Sequence, residues 1–162
     1  QEASDIGPGN CLMDFYCMEQ GLGNFDLHGR LASQGRISEE LFRVLRNTIQ
    51  FDLYPRADDI ANYLVKLKKY ENIIDKTKAE DVLRTLIEIT VLGIEEFYRR
   101  CDEPEEIIIH GGGIYNKFLM FLLSAKFGNT IKTSANYLDP KFVEAAAFAY
   151  LAYLKKGVLI RP

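Results

Sequence analysis

The chain has 162 residues, 48% hydrophobic and 27% charged, which suits one soluble globular domain with a real core. Its net charge of −3 implies no polyanion partner, so nucleic acid is not expected. No apolar run reaches the length of a membrane span and no stretch reads as a signal peptide, and Cys11, Cys17 and Cys101 form no CxxC pair, so a cytoplasmic protein with reduced thiols is expected. His28 and His110 are the only histidines and stand apart, so no histidine-based metal site is expected.

The chain begins at Gln1, without methionine, and reaches a motif within four residues, which reads as the remainder of something longer. Asp5-Ile6-Gly7-Pro8-Gly9-Asn10 is a loop, because Gly-Pro-Gly cannot be helix interior. It feeds an apolar helical run from Cys11 to Met18, with Asn10 placed as its N-cap. An N-terminal turn leaves Asp5 unexplained; an acid beside two glycines also suits a phosphate or a reacting hydroxyl. Asp14 reads as a helix-surface acid.

Gly21 and Gly23 end that helix, and residues 24–29 are turn-like. Ser38 is placed as the N-cap of a second helix, with Glu39 and Glu40 in its first turn and Leu41, Phe42, Leu45 and Ile49 along one stripe. Tyr54-Pro55-Arg56 breaks it, and a short helix is expected from about Asp58 to Lys69. Lys66, Lys68 and Lys69 read as a solvated face. Thr77-Lys78-Ala79-Glu80 has the form of a capping box opening a helix to about Arg100, with Val82, Leu86, Ile89, Gly93 and Phe97 on one face.

Ile107–Ile109 predicts a short strand buried on both faces. Gly111-Gly112-Gly113 and an apolar helix from about Phe118 follow. Strand, glycine turn and helix aim free N–H groups at an anion, most often a nucleotide phosphate; a tight turn packing helix on sheet is the plainer reading. Asn116 is placed to cap the helix or to meet a ligand. A second strand is expected over Thr130–Thr133, then a last helix with Asp139 as N-cap and Pro140 at its first position. Ala145, Ala146, Ala147, Ala149 and Ala152 suggest that this helix lies close against a neighbour, with Gly157 as its C-terminal cap. About six helices and two strands make the seed of an α/β sheet, with further strands expected upstream.

Four motifs then line up. Asp5-Ile6-Gly7-Pro8-Gly9-Asn10 with Leu12 and Asp14 resembles the DTGPGN-x-L-x-D signature of the 1,6-anhydro-N-acetylmuramic acid kinases. Asp26, Gly29, Ala32 and Gly35 resemble that family's D-x-x-G-x-x-A-x-x-G stretch. Gly111-Gly112-Gly113 with Asn116, Leu119 and Met120 resembles its CGGG-x-x-N-x-x-L-M segment, and Glu144-Ala145 with Ala147-Phe148-Ala149 its EA-x-AFA helix. Ile6 replaces threonine and His110 replaces cysteine; Tyr54–Asp59 does not preserve the family's P-x-S-T-G-R-E segment.

The resemblance implies that residues 1–162 are a single domain, the C-terminal lobe of a two-lobe sugar kinase with an actin-like ATPase (ribonuclease-H-like) α/β fold. It implies a substrate, 1,6-anhydro-N-acetylmuramate, whose anhydro bridge is opened by water while the freed oxygen takes the γ-phosphoryl group of ATP with Mg2+, in peptidoglycan recycling. Asp5 would be the general base; Gly7, Gly9 and Asn10 would lie near the phosphates; Gly111, Gly112, Gly113 and Asn116 would floor the adenosine site; Glu144 would meet the sugar. The implied partners are an N-terminal kinase lobe, absent from this sequence, without which the chain is expected to be inactive, and a homodimer. The alternative is a non-catalytic nucleotide-binding or assembly module. A dinucleotide-binding βαβ unit is a third reading, but no acid ends a following strand where one is expected.

Overall fold

The computed structural model describes residues 4–51 and 54–154. Among these are seven α-helices and one two-stranded parallel sheet. The helices are α1 (Cys11–Glu19), α2 (Glu39–Ile49), α3 (Ile60–Lys68), α4 (Glu71–Ile74), α5 (Ala79–Arg100), α6 (Lys117–Phe127) and α7 (Val143–Tyr153). The strands are β1 (Ile107–Ile109) and β2 (Ile131–Thr133).

Helix α5 is the axis of the core. Val82, Leu83, Leu86, Ile87, Ile89 and Val91 are all buried, so apolar residues face inward on more than the one predicted stripe. Helices α1, α2 and α6 and the 3-10 turn Ala32–Gln34 pack around it. From α2 come Leu41, Leu45 and Ile49, each at most 1% exposed. Burying side chains of this size contributes about 1.5–3 kcal/mol apiece. Ser38 caps α2 as expected, accepting from Leu41 N, while its own N–H donates to Thr85 Oγ1 of α5 at 2.9 Å.

The capping box predicted at Thr77 does not form. The N-cap position falls on Lys78, one residue late, so Glu80 is not at the third helical position. Thr77 Oγ1 instead donates to Ile73 O at 2.8 Å, closing the turn after α4. Helix α3 starts at Ile60, where Asp59 caps it by accepting from Ala61 N at 2.9 Å.

The strands pair in parallel, Ile107 opposite Ile131 and Ile109 opposite Thr133. Ile109 and Ile131 pack against the core, but Ile108 is 49% exposed. The expected burial on both faces is therefore corrected: among the described residues, helices cover one face only.

Asp139 accepts from Lys141 N at 3.0 Å and caps a 3-10 turn, Pro140–Phe142, which leads into α7. The alanines of α7 are exposed, and none of its residues is buried, so the close packing expected from its composition is absent among the described residues. Gly157, the expected cap, lies outside the described residues. No described helix is long and apolar enough to cross a membrane.

Candidate nucleotide and phosphate site

The loop before α1 is held from two sides. Asp5 N donates to Arg56 O at 3.0 Å, and Asp5 Oδ2 accepts from Asp58 N at 2.6 Å. Arg56 is itself fixed, donating from Nη1 to Ile49 O and Gln50 O at 2.9 Å each and pairing through Nε with Asp58 Oδ2 at 2.8 Å. So Tyr54–Asp59, the segment that departs most from the family pattern, is what tethers Asp5. On the other side, Thr90 Oγ1 of α5 donates to Gly9 O at 2.6 Å. Gly93 lets α5 approach so closely that a Cβ there would stand 2.5 Å from Ile6 O.

Asn10 does not cap α1. Its backbone is helical, its side chain makes no capping bond, and its Oδ1 is buried without a partner among the described residues. Leaving a buried acceptor unsatisfied costs about 1–3 kcal/mol.

The stretch Asp26–Gly35 is a clamp. Both carboxylate oxygens of buried Asp26 accept backbone N–H groups, from Leu31 and Ala32, at 2.9 Å. Gly29 has φ +71, and a Cβ there would stand 2.4 Å from Asn116 Oδ1. At Gly35 a Cβ would meet Glu80 O at 2.0 Å. These spacings let three segments touch, and they dock the turn at 27–29 onto the start of α6.

The glycine turn after β1 does not open α6 directly. A 3-10 turn, Gly112–Tyr115, intervenes, and Asn116 caps α6 by accepting from Leu119 N at 3.1 Å. His28 Nδ1 lies 3.1 Å from Tyr115 O; a carbonyl only accepts, so this contact places the proton on Nδ1.

Between these parts lies a cavity of about 490 Å³, within the range of small-molecule sites. Helix α1 and its preceding loop give it Asn10, Met13 and Asp14; the clamp gives Phe25, Asp26, Leu27 and His28. The facing wall is Gly112, Tyr115 and Asn116, with Lys141 at the edge. Burial pushes the Asp14 carboxyl above the usual carboxylate range. The arrangement offers apolar and aromatic walls with a few polar groups, which suits a planar heterocycle or a sugar carrying an anion.

Of the residues singled out in sequence, Asn10, Gly112 and Asn116 meet on this cavity. Asp5, Gly7, Gly9, Gly111, Gly113 and Glu144 do not line it. Asp5 is exposed on the loop, and Glu144 is exposed in the first turn of α7. Sequence reasoning missed His28, Tyr115 and Lys141 as cavity residues, and read Asp14 as a helix-surface acid. Asp14 was reachable, since four residues after Asn10 it shares that residue's helix face. His28 and Lys141 carry no local signal, because only the tertiary fold brings them here. Among the described residues no group of three or more His, Cys, Asp or Glu could hold a metal ion.

The sequence model of the family described as anhydro-N-acetylmuramic acid kinase matches residues 1–159. The chain is 34% identical over 152 residues to the anhydro-N-acetylmuramic acid kinase of Caulobacter vibrioides, covering 93% of this chain and 40% of that protein. It is 33% identical over 155 residues to the same-named kinase of Gamma-proteobacterium EBAC31A08, and 34% identical over 155 to that of Pseudomonas fluorescens, each covered over 42% of its length. This chain, spanning about two fifths of those relatives, belongs to the anhydro-N-acetylmuramic acid kinase family.

Proposed function

We propose that the chain is the C-terminal, nucleotide-side lobe of an anhydro-N-acetylmuramic acid kinase, with an actin-like ATPase fold, working in cytoplasmic cell-wall recycling. One observation carries this reading: Asn10, in the loop before α1, lines the same cavity as Gly112 and Asn116, which follow β1. Two motifs distant in sequence thus face one space of nucleotide size.

The residues fit ATP. Gly112 leaves its backbone open, with no atom within 4 Å of where a Cβ would stand, so a ligand can approach the chain. Gly7, Gly9 and Asn10 would supply the loop beside the phosphates, and Gly111, Gly112, Gly113 and Asn116 the adenosine floor. Magnesium would travel on the phosphates, an ion usually held by one or two carboxylates rather than an all-protein cage. When bound, ATP supplies the phosphoryl group.

Asp5 would act as general base. Its Oδ2 is occupied by Asp58 N, so Oδ1 would take the proton of the water that attacks the anomeric carbon. The water's hydroxyl would end on C1 as the C1–O6 bond breaks, and O6 would take the γ-phosphoryl group with ADP as the leaving group, giving N-acetylmuramate 6-phosphate. Arg56 holds Asp5 in place through Asp58 and its own backbone. Glu144 would hydrogen-bond the sugar. The N-terminal lobe would supply the remaining phosphate contacts, so these residues by themselves would bind nucleotide without turnover.

A non-catalytic nucleotide-binding module is favoured by a different observation: Asp5 is exposed and off the cavity, held by a segment unlike the family's. The test combines calorimetric titration with Mg·ATP and a mass-spectrometric assay for N-acetylmuramate 6-phosphate, run with and without an N-terminal lobe from a related kinase. Product only with the added lobe, falling about 10²–10⁴-fold in Asp5→Asn at unchanged ATP affinity, supports the kinase. ATP binding without product in any combination selects the module. No ATP binding removes both.

A further inference from the structure

We propose that His28 sets base selectivity in the cavity: its Nε2 accepts a hydrogen bond from an exocyclic amino group, so the site takes a 6-aminopurine and disfavours the matching 6-oxopurine. This rests on the nucleotide reading above and names the atom that tells one base from the other.

His28 falls on an open position of the D-x-x-G-x-x-A-x-x-G pattern, between Asp26 and Gly29, so the family motif does not prescribe it. It lines the cavity of about 490 Å³ with Phe25, Leu27 and Tyr115, which offer walls to a flat ring. Its Nδ1 lies 3.1 Å from Tyr115 O. That contact holds the proton on Nδ1, and in the neutral ring Nε2 is then an acceptor. Among the described residues no hydrogen bond reaches Nε2.

The backbone fixes where this ring stands. His28 is left-handed, with φ 61 and ψ 12, a conformation uncommon for a residue with a side chain. Its neighbours impose it. Asp26 accepts from the N–H groups of Leu31 and Ala32 at 2.9 Å each, and Gly29 leaves no room for a Cβ against Asn116 Oδ1. Strained backbone that its surroundings over-determine clusters at ligand-facing positions. Ring position and tautomer are therefore both set before a ligand arrives.

An acceptor fixed in this way selects by chemistry. Adenine carries an amino donor at its 6-position, and hypoxanthine carries an oxygen there. The amino group gives Nε2 a hydrogen bond. The oxygen sets two acceptors against each other, and each gives up water for nothing. Sites built to bond a donor reject the analogue that lacks it more strongly than apolar pockets reject a change of size. His28 is exposed, so water softens the mismatch, and the expected discrimination is about tenfold rather than the far larger factors of closed sites.

The experiment is calorimetric titration of the intact chain with Mg·ATP and with Mg·ITP. The two share ribose and triphosphate and differ only in the 6-substituent and the N1 proton that goes with it. His28→Phe keeps a flat ring without nitrogens. His28→Asn suits the left-handed backbone, and its amide both donates and accepts, so it cannot tell amino from oxygen. Circular dichroism checks that both fold; if the Phe variant does not, the Asn variant decides. The parent is expected to bind ATP about tenfold more tightly than ITP, and each variant to bind the two within about threefold of each other, chiefly through weaker ATP binding. Equal binding by the parent, a preference for ITP, or a preference for ATP kept in a folded variant would overturn the proposal while leaving the nucleotide reading in place. Binding of neither nucleotide by the parent would remove that reading and this proposal with it.

Discussion

Replacing Gly93 by alanine sets helix propensity against packing, and the structure decides the sign. Gly93 lies inside α5, where alanine is favoured over glycine by about 0.8–1.0 kcal/mol on propensity alone. A Cβ at that position would stand 2.5 Å from Ile6 O and 2.9 Å from Phe51 Cε1. The carbonyl is backbone and cannot rotate away. It is anchored on one side by the Asp5–Arg56 bond and on the other by Thr90 to Gly9. Forcing a methyl group into such a contact costs about 1–3 kcal/mol, towards the upper end where backbone must move. The net expectation is a loss of about 1–2 kcal/mol. For a chain of this length that lowers Tm by about 2–8 °C. Urea and thermal unfolding followed by circular dichroism measure it. Because the shifted loop carries Gly7, Gly9 and Asn10, ATP affinity should fall too. Gly112→Ala is the control: with nothing within 4 Å of its Cβ, stability should change by no more than about 0.5 kcal/mol. A Gly93→Ala protein more stable than the parent would refute the reasoning, because it would mean that α5 and the loop do not meet as closely as described.

Two further outcomes follow from groups whose protonation burial alters. The Asp14 carboxyl is raised by burial, so the folded chain holds that proton more tightly than the unfolded one; stability is highest below the unfolded value near pH 4 and declines as pH rises towards the raised folded value. Asp14→Asn should remove that decline, so urea midpoints of parent and variant, compared from pH 4 to pH 7, should diverge in the variant's favour as pH rises, and parallel curves would count against it. Burial also pushes the Cys17 thiol up to about 11, whereas Cys101 is exposed. A thiol reagent at pH 8 should therefore label Cys101 at once and Cys17 only on unfolding, read by mass spectrometry of peptides; rapid labelling of Cys17 would show that α1 is not packed as described.

The elements most legible in the sequence are those whose signals are local. Ser38 capping α2, the Leu41–Leu45–Ile49 stripe, the isoleucine strand and the Asn116 cap all rest on residues within one or two turns of each other. Where the reading failed, the deciding interaction was distant or shifted by one residue. Thr77 has the right spacing to Glu80 for a capping box, but the turn after α4 claims its hydroxyl first. Asn10 has the right chemistry for a cap, but its backbone is already helical and its side chain points to buried space. The alanines of α7 signal the capacity to pack closely and say nothing about what packs there. The D-x-x-G-x-x-A-x-x-G stretch was visible as a pattern, yet its purpose was not, since Gly29 matters through Asn116 and Gly35 through Glu80, both far along the chain.

That clamp explains how the site divides. Gly29 fixes the turn at 27–29 against Asn116, and Asp26 fixes the same turn against Leu31 and Ala32. One wall of the cavity beside Asn10 is thereby tied to the other, since Asp26, His28 and Asn116 all line it. Asp5 and Glu144 are placed differently. Asp5 is held by backbone hydrogen bonds to 56–58 and faces solvent, and Glu144 rides on a helix with no buried residue. The cavity and the two acids therefore stand apart, the first enclosed by the clamp, the others on exposed backbone and helix. On the kinase reading proposed above, variants of the clamp would alter nucleotide affinity, whereas Asp5→Asn, off the cavity, would alter turnover alone.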